Sequence, residues 1–218
     1  MEETKAETAP LGVPHQAPVP NPAPQSAPLH TAPQKKPSRF AGAWEFVRFA
    51  IIVVAVVVIV RVFIAQPFVV SGASMVPTYQ DSNYLIIDEL TYHFRQPQRG
   101  DVIVFHPPVD MKTYYIKRII GVPGDTITIS NSVVQLKNAE KPEGIILDEP
   151  YITTDTPGDN FTVTVSEGEY FVMGDNRPAS FDSRRWGLLP KKNITGRVFA
   201  RLFPLSQIGL FPGEHPLY

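Results

Sequence analysis

The chain has 218 residues, a formal net charge of −1 and no cysteine. The lack of cysteine excludes disulfides, thiolate metal sites and a cysteine nucleophile. The near-neutral charge, with basic residues scattered along the chain, gives no support to a nucleic-acid partner.

A disordered cytoplasmic tail is the first predicted segment, over residues 1–43. It is crowded with Pro, Ala and Gln up to about Ser38 and has few large apolar residues. Such a segment cannot bury enough surface to offset the entropy lost on ordering. We therefore expect residues 1 to about 38 to be dispensable for any catalytic function.

An apolar segment over residues 44–66 predicts one membrane-spanning helix. About 20 residues, each rising about 1.5 Å, cover the hydrocarbon core of a bilayer, which is about 30 Å thick. The alternative is a buried strand or helix, but Phe49–Val60 is long for a strand and shows no polar face. The residue before a proline disfavours helical geometry, so Gln66 before Pro67 is predicted to end the helix.

The orientation of this helix follows from the basic residues that flank it. No Lys or Arg follows Arg61 until Arg95, whereas four basic residues lie within or just before the amino-terminal part of the segment: Lys35, Lys36, Arg39 and Arg48. The positive-inside rule then places the amino terminus in the cytoplasm. The predicted location is a cell membrane, crossed once, with residues 67–218 on the extracytoplasmic side.

Residues 67–218 are predicted to form a mostly β domain with antiparallel sheets. Short runs of β-branched and aromatic residues alternate with Gly, Pro, Asn and Asp, and no long helical period intervenes. Five runs are predicted strands: Asp101–Phe105, Tyr114–Ile120, Thr126–Ile129, Phe161–Val165 and Arg197–Phe203.

Ser74 is the candidate nucleophile. It lies among small residues, directly before the stiff Met75-Val76-Pro77, so its hydroxyl is expected to be exposed on a turn. A serine among small residues is by itself more often a plain turn residue. Its interpretation as a nucleophile therefore depends on a partner base.

Lys117 is the candidate base. Strand alternation places it on one face with Tyr115 and Ile119 and places Arg118 on the other face. An apolar face disfavours the ammonium form, so we expect the pKa of Lys117 to be depressed. Arg118 cannot act as the base, because a guanidinium stays protonated in proteins. The alternative for Lys117 is a surface lysine on a half-exposed strand.

A third polar cluster covers Gly174–Gly187, between two apolar stretches. It could supply hydroxyl and carboxylate groups that orient the lysine and brace the backbone, or it could be an ordinary solvated loop.

Together the motifs resemble those of type I signal peptidases, over nearly the whole chain after residue 44. Ser74–Thr78 matches the family's Ser-Met-x-Pro-Thr box, and Tyr115–Asp125 matches its Tyr-x-Lys-Arg-x-x-Gly-x-Pro-Gly-Asp box. Gly174–Gly187 matches its Gly-Asp-Asn-Arg…Ser-x-Asp-Ser-Arg-x-Trp-Gly box. The single predicted span resembles the short subgroup of the family.

This resemblance implies a role for each matching residue. Ser74 would be the acylating nucleophile and Lys117 the general base, with Ser180 positioning the lysine nitrogen. Asp182 with Arg184 and Asp175 with Arg118 would form supporting ion pairs. The backbone N–H of Ser74 would be one oxyanion-hole donor.

Two departures from the family pattern stand out. Gly72 occupies the position where some members place a serine that donates to the oxyanion, so the second donor is unknown. Pro178-Ala179 replaces an acidic residue and Asn, so the turn before Ser180 is expected to differ.

The implied partners are the signal peptides of exported preproteins, cut after small residues in an Ala-x-Ala pattern, and the lipid bilayer. No metal or cofactor is expected, and an association with the protein export machinery stays open. The alternatives are a membrane-tethered self-cleaving Ser/Lys protease and a non-enzymatic peptide-binding β-domain.

Overall fold

The computed structural model describes residues 39–63, 65–153 and 160–215. The chain divides into two compact units, Met1–Trp44 and Glu45–Tyr218. The first unit is described only from Arg39 onward, where it is helical. Residues 1–38 of the predicted tail lie outside the described residues, and residues 39–43, which were predicted to be disordered, form the start of the first helix.

The first helix, α1, covers Arg39–Phe63, whereas residues 44–66 were predicted. The large apolar side chains from Trp44 to Val58 are exposed. Among the residues that the structure describes, we find no helix with both the length and the apolar character needed to cross a membrane.

Gln66 and Pro67 were predicted to end the helix, but they lie in the first strand, β1 (Ala65–Val69). Proline lacks the N–H that a central strand needs, and it is tolerated here because β1 is at the edge of its sheet.

The remaining elements after β1 are short strands with a few helical turns. The two α-helical turns are α2 (Thr91–Phe94) and α3 (Ser183–Trp186), and 3₁₀ turns cover Arg177–Ala179, Lys191–Asn193 and Leu205–Gln207. The strands are β2 (Tyr84–Asp88), β3 (Val102–Phe105), β4 (Tyr115–Gly121), β5 (Thr126–Ser130), β6 (Val133–Lys137), β7 (Ile145–Ile146), β8 (Phe161–Thr164), β9 (Glu169–Met173), β10 (Leu189–Pro190), β11 (Ile194–Phe203) and β12 (Gly209–Leu210).

The strands form two antiparallel sheets. The larger has eight strands in the order β1-β2-β11-β3-β4-β9-β10, with β12 paired to β11, and the smaller has the order β7-β6-β5-β8. Every pairing is antiparallel. The prediction of a mostly β, antiparallel domain is therefore confirmed.

Burial follows the strand period where one face is solvated. In β5 and β6 the alternate apolar residues Ile127, Ile129, Val134 and Leu136 are buried, and the residues between them are at least partly exposed. Strand β3 is buried on both faces, because it lies in the middle of the larger sheet.

Strand β4 has one open stretch that matters for the site. It pairs with β3 from Tyr115 to Arg118, but its pairing with β9 begins only at Arg118. Within the described part of the chain, Tyr115–Lys117 therefore has no partner strand on the β9 side.

Candidate active site

Ser74 and Lys117 lie in direct contact. Lys117 Nζ is 2.7 Å from Ser74 Oγ, although 43 residues separate them in the chain. Ser74 sits in a tight turn after β1, in which the Val76 N–H donates to Ala73 O at 3.2 Å and the Tyr79 N–H to Met75 O at 2.8 Å. The turn presents a half-buried hydroxyl to the end of the lysine side chain.

Lys117 is nearly completely buried, with 3% of its surface exposed. Tyr115 and Ile119 belong to the apolar cluster on its face of β4, as the alternation predicted. Burial lowers the pKa of Lys117 to about 8, against a smaller opposing effect of the Asp182 and Asp175 carboxylates. A base whose pKa is near neutrality holds a substantial fraction of free amine.

The turn that carries Ser74 is held by the chain at Gly174–Asn176. The Asn176 N–H donates to Ser74 O at 3.0 Å, and its side-chain Nδ2 donates to Ala73 O at 3.0 Å. At Gly174 an added Cβ would lie 2.4 Å from Ser74 O, so only glycine allows this approach. The sequence alone assigned no role to Gly174 or Asn176. Their position in the polar cluster Gly174–Gly187 was the only sequence feature that pointed to a role for them.

Arg118 and Asp175 form the predicted ion pair. The guanidinium donates to both carboxylate oxygens at 2.9 and 2.6 Å, and both side chains are buried, with 0% and 1% exposed. Asp175 also accepts the Thr78 hydroxyl at 2.5 Å. The pair therefore contacts the end of the Ser74 turn.

Asp182 and Arg184 form the second predicted pair. Arg184 donates to the two Asp182 oxygens at 2.9 and 3.0 Å. Asp182 Oδ2 also accepts the Gly174 N–H at 3.0 Å, which ties this pair to the chain that braces Ser74.

Ser180 lies near the nucleophile, but its hydroxyl does not form a hydrogen bond with Lys117, whose nitrogen it was predicted to position. An added Cβ on Gly174 would lie 2.3 Å from Ser180 Oγ and 2.4 Å from Ser74 O, which places the hydroxyl beside the turn. Ser180 Oγ is buried and has no hydrogen-bond partner among the described residues. A hydrogen bond between Ser180 and Lys117 is therefore not formed in this structure.

Gly72 and Ala179 are two of the three residues that depart from the family pattern, and Pro178 is the third. The Gly72 N–H donates to Asp81 Oδ1 at 2.8 Å, so it is not free to donate to an oxyanion. Ala179 ends a 3₁₀ turn that begins at Arg177, and it lines the cleft beside Ser74.

A cleft of about 490 Å³ opens beside the pair. One wall is Phe68–Ser74 and the other is Thr113–Lys117, with Phe181 and Ala179 at the side. These walls are the outer edge of β1 with its extension and the open stretch of β4. Such edges can take up an extended peptide by main-chain hydrogen bonds.

No group of His, Cys, Asp or Glu residues that could hold a metal ion occurs among the described residues. His93 and His106 each direct Nδ1 to a backbone carbonyl, of Glu89 and Thr113 respectively. Within the described ranges, neither histidine forms a hydrogen bond with Ser74.

Comparisons with known proteins identify close similarity to signal peptidases. The profile of the family described as "Signal peptidase, peptidase S26" matches residues 43–203. "Probable signal peptidase I-1" of Synechocystis sp. is 37% identical over 76% of this chain and 87% of its own length. "Signal peptidase I" of Leptolyngbya laminosa is 32% identical over 91% of this chain and 97% of its own length.

Among solved structures, a signal peptidase I from Enterococcus faecalis V583 is 31% identical. The match covers 47% of this chain and 97% of the other, with a TM-score of 0.40, too low for the superposition to carry an argument.

Proposed function

We propose that this chain, which belongs to the signal peptidase family, peptidase S26, acts through Ser74 as nucleophile and Lys117 as general base. As a member of this family it is a serine peptidase that removes signal peptides. The observation that carries this proposal is the contact of 2.7 Å between Lys117 Nζ and Ser74 Oγ. A serine hydroxyl needs an adjacent base, and burial gives Lys117 the lowered pKa that a base requires.

The reaction would proceed in two half-reactions. In acylation, neutral Lys117 takes the Ser74 proton while Oγ attacks the scissile carbonyl, and the ammonium then protonates the departing amine. In deacylation, Lys117 takes a proton from the water that attacks the acyl-enzyme, and it returns this proton to Ser74 Oγ as the signal peptide carboxylate leaves. The Ser74 N–H would donate to the oxyanion in both steps.

The proposed substrate is an extended chain with small side chains one and three residues before the cut. It would lie between the edge of β1 and the open stretch Tyr115–Lys117. The cleft supports this binding mode because both walls offer strand edges and because its lining is mainly apolar, with residues such as Phe68, Val70 and Ile116.

The two ion pairs and Ser180 are proposed as supporting residues. The turn that carries Ser74, Ala73–Tyr79, is here called the nucleophile turn. Arg118–Asp175 would fix its Thr78 end, and Asp182–Arg184 would fix Gly174. The Ser180 hydroxyl would rotate toward Lys117 Nζ when the amine loses its proton and needs a donor.

We also propose that residues 44–66 anchor the enzyme in a membrane, with the amino terminus in the cytoplasm and the peptidase domain outside. The support is the apolar sequence and the exposure of its large side chains from Trp44 to Val58. An anchor would hold enzyme and signal peptide at one surface and so raise their effective concentration.

Cleavage of a preprotein with an Ala-x-Ala site tests the Ser/Lys assignment. We expect Ser74→Ala and Lys117→Met to abolish cleavage by the full chain in detergent. Matched controls are Ser166→Ala and Lys137→Met, two exposed residues of the same types. Cleavage retained in either site variant, with folding intact, would refute the assignment.

The same assay separates the alternative functions. A parent protein that cleaves nothing would favour the peptide-binding domain. A parent protein that cuts itself but leaves the preprotein intact would favour a self-cleaving protease.

The anchor is tested by alkaline extraction of membranes that contain the full chain or residues 67–218. We expect the full chain to stay with the lipid and the shorter chain to be released. Release of the full chain would contradict the anchor without affecting the Ser/Lys proposal.

A further inference from the structure

The C-terminal segment Phe211–Glu214, here called the C-terminal strap, contacts the turn that carries Ser74. The Tyr79 hydroxyl donates to Pro212 O. One Arg118 nitrogen donates to Gly213 O at 2.5 Å. The strap therefore accepts hydrogen bonds from the end of the turn and from the buried arginine that pairs with Asp175.

The strap also packs closely against the turn. Gly213 has a φ of +78°, and a Cβ at this position would lie 2.2 Å from Thr78 Cγ2. The backbone of the strap thus rests on the Thr78 side chain. A side chain at position 213 could be accommodated only if the strap or the turn moved, or if the Thr78 side chain rotated away from its hydrogen bond to Asp175.

The opposite side of the strap is fastened to β11. The Phe211 N–H donates to Phe199 O at 2.8 Å. The Arg197 guanidinium lies 4.5 Å from the centre of the Phe211 ring and 3.3 Å from the Glu214 carboxylate. The strap therefore links strand β11 of the larger sheet to the turn that carries Ser74.

We propose that the C-terminal strap is a positioning element of the active site, which fixes Ser74 by holding the far end of its turn through Tyr79, Thr78 and Arg118. This inference rests on the proposed role of Ser74 as the nucleophile. None of the strap residues lines the cleft or touches the reacting atoms, so the strap acts only through the turn.

Geometry explains why a contact five residues from Ser74 matters. The Tyr79 N–H donates to Met75 O at 2.8 Å, so a hydrogen bond closes the turn between the strap contact at Tyr79 and the residue after Ser74. Asn176 holds its start at Ala73 and Ser74, and the strap holds its end. Loss of either restraint leaves Oγ free to drift, and a displacement of about 1 Å can cost about 100-fold in rate.

The Tyr79 side chain is a dependable donor to the strap. Burial raises the pKa of the Tyr79 phenol well above its ordinary value, since the ring is completely buried. The phenol therefore stays protonated, and its bond to Pro212 O persists over the working pH range of a Ser/Lys enzyme.

The test compares Gly213→Ala with Gly168→Ala in the full chain. Gly168 has a φ of +74°, similar to that of Gly213, but a Cβ there would meet nothing within 4 Å. Both variants carry the strain of a side chain at positive φ, and only Gly213→Ala pushes on Thr78. The readouts are kcat and KM for a peptide with an Ala-x-Ala site, and Tm.

We expect Gly213→Ala to lower kcat by about 10- to 100-fold with KM within about twofold of the parent. Gly168→Ala should keep the parent kcat. Tyr79→Phe, which removes only the hydroxyl, provides a second variant in case Gly213→Ala does not fold, and it should lower kcat in the same sense.

Equal kcat values for Gly213→Ala, Gly168→Ala and the parent would overturn the inference. If Gly213→Ala does not fold, a Tyr79→Phe variant with the same kcat as the parent would also overturn it. Either result would leave the Ser74 assignment intact. Loss of the Ser74 assignment would instead appear as cleavage retained by Ser74→Ala.

Discussion

Lys117 and Arg118 are neighbours on β4, but their side chains serve opposite faces of the sheet. Lys117 reaches Ser74 Oγ at 2.7 Å, and Arg118 binds both oxygens of Asp175. The alternation of a strand produces this division, because successive side chains point to opposite faces. Lys117 therefore supplies a base whose charged form is disfavoured by burial, while the charge of Arg118 is paired with the Asp175 carboxylate.

The lowered pKa of Lys117 predicts the pH dependence of cleavage. The amine must be neutral to accept the Ser74 proton, so activity should rise with pH and reach half its plateau near the pKa of about 8. The measurement is kcat/KM against pH for a peptide substrate, which reports the free enzyme. A midpoint near 10.5, the ordinary value for lysine, would contradict the prediction.

Burial of Lys117 also predicts a pH-dependent stability. Below about pH 8 the lysine is protonated in both the folded and unfolded states, and the folded state bears the desolvation cost. Between about pH 8 and 10.5 the folded state binds fewer protons than the unfolded state, so the free energy of unfolding rises with pH. The gain is on the order of 3 kcal/mol.

Lys117→Met removes this contribution and serves as the reference. We expect the free energy of unfolding of the parent, minus that of Lys117→Met, to increase between pH 8 and 10.5 in denaturant titrations. A difference that stays flat over this range would show that the lysine keeps an ordinary pKa.

The sequence predicted the parts of the fold that local chemistry determines. All five predicted strands overlap observed ones, because their β-branched residues match a pleated, half-buried surface. The strands β2 and β9 were not predicted, although both lie inside the larger sheet. Pairing with neighbouring strands and burial of Leu85, Ile87 and Tyr170–Met173 in the apolar clusters stabilise these two strands.

The same distinction holds within the site. Ser74 and Lys117 could be proposed from residue type and setting, and the structure brings them together. The bracing by Asn176 and the hydrogen bond that occupies the Gly72 N–H could not be predicted. Both are contacts to backbone atoms, and a sequence carries no direct record of which backbone atoms a side chain meets.

Gly174→Ala should abolish most of the activity. Its Cβ would lie 2.3 Å from Ser180 Oγ and 2.4 Å from Ser74 O, so the nucleophile turn would have to shift. We expect kcat to fall by about 100-fold or more. Gly209→Ala is the matched control, because a Cβ at Gly209 meets nothing within 4 Å. Similar kcat values for the two variants would contradict the close approach.

Ser180→Ala should separate activity from stability. The hydroxyl is buried without a partner among the described residues, so its removal breaks no hydrogen bond that holds the fold. We expect an unchanged or higher free energy of unfolding, together with a lower kcat if the hydroxyl turns to Lys117 during the reaction. Ser180→Thr keeps the hydroxyl and should retain more activity than Ser180→Ala. Full activity in Ser180→Ala would remove Ser180 from the supporting residues.

Asp175→Asn should destabilise the fold more than any exposed carboxylate substitution, because it leaves Arg118 buried without a counter-charge. The Arg118 side chain is 0% exposed and the Asp175 side chain 1% exposed. Breaking a buried pair in this way costs about 3–5 kcal/mol.

Asp148→Asn, at an exposed position, is the control and should stay within about 0.5 kcal/mol of the parent. In Arg118→Met/Asp175→Asn the unpaired charge is gone, so part of the lost free energy of unfolding should return. Equal losses in the single and double variants would show that the Thr78 contact of Asp175, and not the charge of Arg118, accounts for the effect.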